Sequence, residues 1–162
     1  MTDILQIRPW RQGDLDRLRA SESLFAPETY PRRFLAGDRR LRPLHLKVLD
    51  RMSTPGLRWM GQIGLERDRV VALAECAWDP ADPDSPAVVL NVAEEWQPSS
   101  IGRRTLRRLV DRCRDAGFTT LNVDYVGSNT GVEALTEAVV AGTGYALTGV
   151  TGAGIGHLTV RR

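Results

Sequence analysis

The chain has 162 residues, 42% hydrophobic and 26% charged, with a formal net charge of +2. That length suits one domain with a single core, the composition excludes a disordered chain, and so small a charge gives no ground for nucleic-acid binding. No apolar run approaches the roughly 20 residues of a membrane-spanning helix, and the start from Met1 to Arg8 lacks the basic and apolar segments of a signal peptide, so the expected location is the cytoplasm.

Ile4 to Arg8 reads as a short strand, and a helix follows from about Asp14, a residue suited to capping, with Leu15, Leu18 and Leu24 apolar. Ala26 to Phe34 is a mixed aromatic and basic loop or short helix. From Pro43 to Met52 the apolar residues Leu44, Val48, Leu49 and Met52 share one helical face with His45, and Pro43 suits a first turn. Leu57 to Leu65 and Val70 to Trp78 read as the strands of a hairpin, and Asp79 to Pro86 as a proline-stiffened loop.

Ala87 to Val92 is the next strand, followed by the polar turn Ala93 to Ser100 and an arginine-rich amphipathic helix from Ile101. Thr119 to Val126 reads as a strand, Asn129 to Ala141 as a helix, and Tyr145 to Val150 with Gly156 to Val160 as a closing strand pair. The predicted order is β-α-α-β-β-β-α-β-α-β-β, a mixed α/β sheet built partly from hairpins rather than a doubly wound fold.

The element from Ala87 to Gly117 carries the chemistry. Its turn offers small residues and backbone N–H groups where a helix begins, and cations follow at once, a combination that binds anions such as phosphate. A P-loop is excluded because the Gly-Lys-Ser/Thr ending is absent. Gly152-Ala-Gly-Ile-Gly156 imitates a dinucleotide fingerprint but precedes a strand, and reads as a hairpin turn. Cys76 and Cys113 lack the spacing of a metal site and read as buried free thiols.

Strand, turn and helix together resemble the acyl-CoA-binding motif of the GNAT N-acyltransferase superfamily, Gln/Arg-x-x-Gly-x-Gly/Ala, which here reads Gln97-Pro98-Ser99-Ser100-Ile101-Gly102. Ile7 to Asp14 is similar to the family's first strand and helix entry, Asn129 to the asparagine that opens its last main helix, and Gly144-Tyr145 to its Gly-Phe. Ala26 to Phe34 and Val92 to Gln97 resemble the acetyltransferase domains of bacterial protein-lysine acetyltransferases. The resemblance implies a mixed, mostly antiparallel central sheet. It also implies acetyl-CoA or another acyl-CoA as co-substrate and an amine acceptor, either a protein lysine or a small molecule. It implies no metal, and dimers are common among similar folds.

Carried across residue by residue, the resemblance implies a pyrophosphate cradle of Gln97, Ser99, Ser100, Ile101, Gly102 and Arg103, with Val92 at the pantetheine arm and Arg104 and Asn129 as further cofactor contacts. Ser100 stands where glycine is usual, and Gly102 is expected to let the backbone approach its ligand. Arg103, Arg104, Arg107 and Arg108 fall on one helical face, either solvated beside Asp111 and Asp115 or reaching a phosphate through Arg103 or Arg104.

Amine acylation needs a neutral amine, usually with a base to take its proton and a donor to polarise the thioester carbonyl. At the family's frequent catalytic glutamate and tyrosine this chain has Ala87 and Thr136. The candidate replacements are Glu75, ionisable within an apolar strand, and Asn91, which shares strand parity with Ala87 and could hold a water. Asp124 and Tyr125 are weaker candidates, and His45 and His157 read as structural. The alternative function is a catalytically silent acyl-CoA-binding module. A further alternative is a scaffold that has lost its ligand.

Overall fold

In the computed structural model, residues 5–25, 58–96, 99–126, 131–151 and 155–162 are described. The helix expected over 43–52 and the loop expected over 26–34 lie outside them. Seven strands form one sheet: β1 (Leu5–Pro9), β2 (Trp59–Glu66), β3 (Arg69–Asp79), β4 (Asp82–Val92), β5 (Thr120–Val126), β6 (Ala146–Thr151) and β7 (Ile155–Arg161). Their spatial order is β1-β2-β3-β4-β5-β7-β6, antiparallel throughout except between β4 and β5. Three α-helices lie among the described residues: α1 (Asp14–Ala20), α2 (Ile101–Asp115) and α3 (Gly131–Val140).

The predicted order holds wherever residues are described, with two local differences. Asp14 is the first helical residue rather than the cap; Gly13 takes the cap position at φ 91°, a conformation that favours glycine. The expected loop from Asp79 to Pro86 is a hairpin, in which Asp79 pairs with Asp82 across Pro80 and Ala81. Its prolines fit because no ladder pair involves Pro83 or Pro86 before pairing resumes at Ala87, so neither has to donate a sheet hydrogen bond.

Strand pairing sorts the side chains into two faces. Residues directly opposite in an antiparallel pair share a face, so Leu73, Glu75 and Ala77 of β3 lie with Asn91, Val89 and Ala87 of β4. Ala72, Ala74 and Cys76 lie on the other face with Val92, Leu90 and Val88. Helix α2 covers that second face, burying Ile101, Leu106, Leu109, Val110 and Cys113. One core cluster joins Cys76, Val88, Leu109, Leu121, Val139 and Val160 there, and a second gathers Leu15, Leu18, Ile63, Leu73 and Ile101. Cys76 and Cys113 are free and buried as expected, and hydrogen bonding with Cys113 and burial push the pKa of the Cys76 thiol far up, so that it stays protonated.

Candidate active site

The site begins where the sheet stops being continuous. The parallel ladder between β4 and β5 consists of Ala87 with Asn122 and Val88 with Val123, and goes no further. Beyond it β4 runs on to Val92 and β5 to Val126. Which backbone groups face this opening follows from the register. Ala93 N–H donates to Val71 C=O at 2.9 Å, and Ala72 stands opposite Val92. Val92 is therefore in a non-hydrogen-bonded pair with β3, as is Leu90 two residues back. The N–H and C=O groups of Leu90 thus project to the β5 side, past the end of the β4–β5 ladder.

The turn into α2 lies against the same stretch of strand. A Cβ on Gly102 would come within 2.6 Å of Val92 Cγ2 and 3.8 Å of Leu90 Cδ2. Gly102 is needed for close helix–strand contact, a requirement additional to the approach to a ligand expected from sequence. Ser100 adopts φ −74°, an ordinary right-handed conformation, so its side chain at the usual glycine position brings no strain.

The helix start is rich in donors. The first helical bond runs from Arg104 N–H to Ser100 C=O, so the N–H groups of Ser100 to Arg103 have no partner within the helix. Ser100 makes no side-chain cap, no acidic residue stands in the first turn, and Ser99 Oγ accepts from Ile101 N–H at 3.3 Å. Ser99, Ser100, Arg103 and Arg104 are exposed. Gln97 and Asn129 lie outside the described residues.

The arginine face divides. Arg107 donates to Val139 C=O at 3.1 Å and Ala141 C=O at 2.7 Å and lies 3.6 Å from Asp111, so it closes the end of α3 rather than serving a ligand. A short helical turn, Glu94–Trp96, leads into the cradle and is anchored on β2 and β3. Trp96 Nε1–H donates to Glu66 Oε1 at 3.2 Å, Arg69 lies 5.3 Å over the Trp96 ring, and Arg69 pairs with Glu66.

Both catalytic candidates are buried, each 3% exposed, on the sheet face opposite α2. Glu75 stands opposite Val89 and Asn91 opposite Leu73, so the two are diagonal neighbours across β3 and β4. Glu75 Oε1 accepts from Trp59 Nε1–H at 3.1 Å. Asn91 Nδ2 is buried without a hydrogen-bond partner among the described residues, and such a group is uncommon enough to need an explanation. Ala87 is exposed, and Thr136 is buried in α3. Asp124 and Tyr125 are in β5 and His157 in β7, with Asp124 paired to His157. Sequence reasoning missed the contributions of Leu90 and Trp59, since both depend on strand register.

Superposition places this architecture. The GNAT domain of S. lividans PAT is similar over 98% of this chain and 90% of its own, with a TM-score of 0.77 at 17% identity. The fold is that of the GNAT acetyltransferases. The yncA protein of Salmonella typhimurium, solved with its cofactor acetyl-CoA, matches with a TM-score of 0.68 at 14% identity over 98% of this chain and 92% of that one. The ribosomal-protein-S18-alanine N-acetyltransferase of Escherichia coli matches with a TM-score of 0.61 at 18% identity over 97% and 92%. No protein-family model matches the sequence, and no curated protein does. Among the described residues no helix is long and apolar enough to cross a membrane, and no group of side chains could hold a metal ion.

Proposed function

We propose that the chain is an acyl-CoA-dependent N-acyltransferase, a single domain that moves an acetyl or other short acyl group directly to a primary amine. The observation that carries this reading is the contact of Gly102 with Val92. It sets the donor-rich start of α2 beside the stretch of β4 whose backbone faces an opening in the sheet. An acyl-CoA presents what such a junction binds: a pyrophosphate for N–H groups and guanidinium groups, and an amide-bearing arm able to pair with a strand edge. Ser99, Ser100, Ile101, Gly102 and Arg103 would hold the pyrophosphate with Gln97, and Arg104 and Asn129 would add further contacts. Leu90 would pair with the arm, and Val92 would lie beside it. The GNAT fold, shared with a protein solved with acetyl-CoA, supports the same ligand.

In the transfer the amine nitrogen attacks the thioester carbonyl carbon, the C–N bond forms and the C–S bond breaks. The nitrogen's proton passes through a water to Glu75, and the thiolate leaves and takes a proton from solvent to become the free thiol. Val92 N–H would polarise the carbonyl. The Asn91 amide cannot take a proton; it would hold the water or the acceptor, which gives its buried Nδ2 donor a partner. The acceptor is a protein lysine, a peptide N-terminus or a small amine. The two free buried thiols suit a cytoplasmic setting.

Two measurements test the reading in sequence. Acetyl-CoA should raise the melting temperature, since a ligand that binds only the folded state stabilises it by mass action. Thiol release from acetyl-CoA should then appear with at least one member of an amine panel, and Glu75→Gln should lower its kcat by about 100-fold or more. A thermal shift without thiol release would make the chain a silent acyl-CoA-binding module. No shift at millimolar acetyl-CoA would remove both readings.

A further inference from the structure

Trp59 and Glu75 are joined by an arrangement that local sequence does not require. Glu75 of β3 stands opposite Gly61 of β2, and Trp59 opposite Ala77. The indole therefore reaches Glu75 diagonally, across the face of Gly61. A Cβ on Gly61 would lie 2.0 Å from Trp59 Cη2 and within 2.8 Å of two further ring carbons, a space only glycine leaves. The floor beneath the indole is fixed as well. Gly61 C=O accepts from Trp10 N–H at 3.0 Å and from the Arg112 guanidinium of α2 at 2.6 Å, and Arg112 also donates to Gln62 Oε1 at 3.2 Å. Trp10 meets the Trp59 ring edge-on, with centroids 5.9 Å apart and planes at 84°. The indole is thus held from beneath and from the side, and it delivers one N–H to the carboxylate at 3.1 Å.

Core tryptophans find partners for their N–H as a rule, but this partner is the ionisable group that the proposed reaction uses. We propose that Trp59 is a positioning residue for acyl transfer: laid across Gly61, it fixes the Glu75 carboxylate in the orientation from which it receives the proton of the acceptor amine. The inference rests on the N-acyltransferase reading. Trp59 itself neither gains nor loses a proton.

Substitutions at three positions, one pair of them also combined, test it. Trp59→Phe keeps an aromatic ring and removes the donor, and Gly61→Ala keeps the donor and displaces the ring. Both should lower kcat at least 10-fold for any panel amine that turns over, with the KM for acetyl-CoA and the acetyl-CoA thermal shift unchanged. Glu75→Gln combined with Trp59→Phe should be no slower than Glu75→Gln alone, because Trp59 acts through Glu75. Independently of turnover, the indole N–H resonance that disappears in Trp59→Phe should move in Glu75→Gln.

Trp59→Phe at wild-type kcat overturns the proposal, as does a double variant slowed by the product of the two single losses. An indole resonance indifferent to Glu75→Gln shows that the contact does not hold in solution and overturns it too. If Glu75→Gln alone keeps full kcat, the role of Glu75 fails while the resonance still reports the pairing. If no panel amine turns over, the reaction fails, and with it any catalytic sense of the contact.

Discussion

Asp14 carries several partners in a place closed to solvent. Its side chain is fully buried, and it accepts from Arg8 at 2.7 and 2.8 Å, from Arg11 N–H at 2.7 Å and from Arg17 at 3.4 Å. Burial pushes this carboxyl up, but the Arg8 and Arg11 hydrogen bonds and the charges of Arg8 and Arg17 outweigh it and hold the group below its ordinary value. A depressed folded value means that the contribution is complete above the unfolded value of about 3.9 and is lost as pH falls through the lower folded one. Arg8→Ala strands a buried carboxylate and should lose about 3–5 kcal/mol at neutral pH. Denaturant midpoints of variant and wild type should converge on acidification. A gap unchanged down to pH 2 would show that the loss was one of contacts alone. At Gly102 the added methyl of Gly102→Ala should cost about 1–3 kcal/mol and shrink the acetyl-CoA thermal shift. Adding Val92→Ala removes the clashing Cγ2 and should restore part of both, which urea unfolding and thermal shift can read.

Among elements, α2 is tied to both neighbours by arginines that local patterning would leave in solvent. Arg112 reaches β2 at Gly61, and Arg107 reaches the last carbonyls of α3. Arg107→Ala should lower stability by about 1–2 kcal/mol, measured by thermal unfolding. It should leave the acetyl-CoA shift intact, because Arg107 is engaged at the end of α3; a reduced shift would return this residue to the phosphate site. The amphipathic period of α2 and the alternation along β2 and β3 are local, and they show in the sequence. Tertiary partners decide between solvated and engaged cations, and a run of four arginines carries no mark of which is which. The hairpin at Asp79–Asp82 was hidden for a related reason. Prolines discourage a strand in general, yet they are harmless at the particular positions that pair with nothing. Trp59-x-Gly61 was a usable signal only once register had set Glu75 opposite the glycine.

For the whole molecule, element order was enough to suggest a mixed sheet built partly from hairpins, and the resemblance carried by Gln97 to Gly102 and the runs around it implied the GNAT architecture. The opening between β4 and β5 was invisible, since it is a pairing that ends early and no residue type marks the place. That early end has a consequence for solvent exchange. Val88 lies within the β4–β5 ladder and Asn91 within a hydrogen-bonded pair with β3, so their amides should be protected. The Leu90 amide between them projects past the last rung, so deuterium should replace its proton far sooner than at either neighbour. A fast amide in the middle of a slow strand is a built-in gauge of occupancy: an acyl-CoA arm bonded there should slow it to the pace of Val88. That single rate would report filling of the seam before any acceptor amine is known, and a Leu90 amide already as slow as Val88 without ligand would mean that the seam is closed.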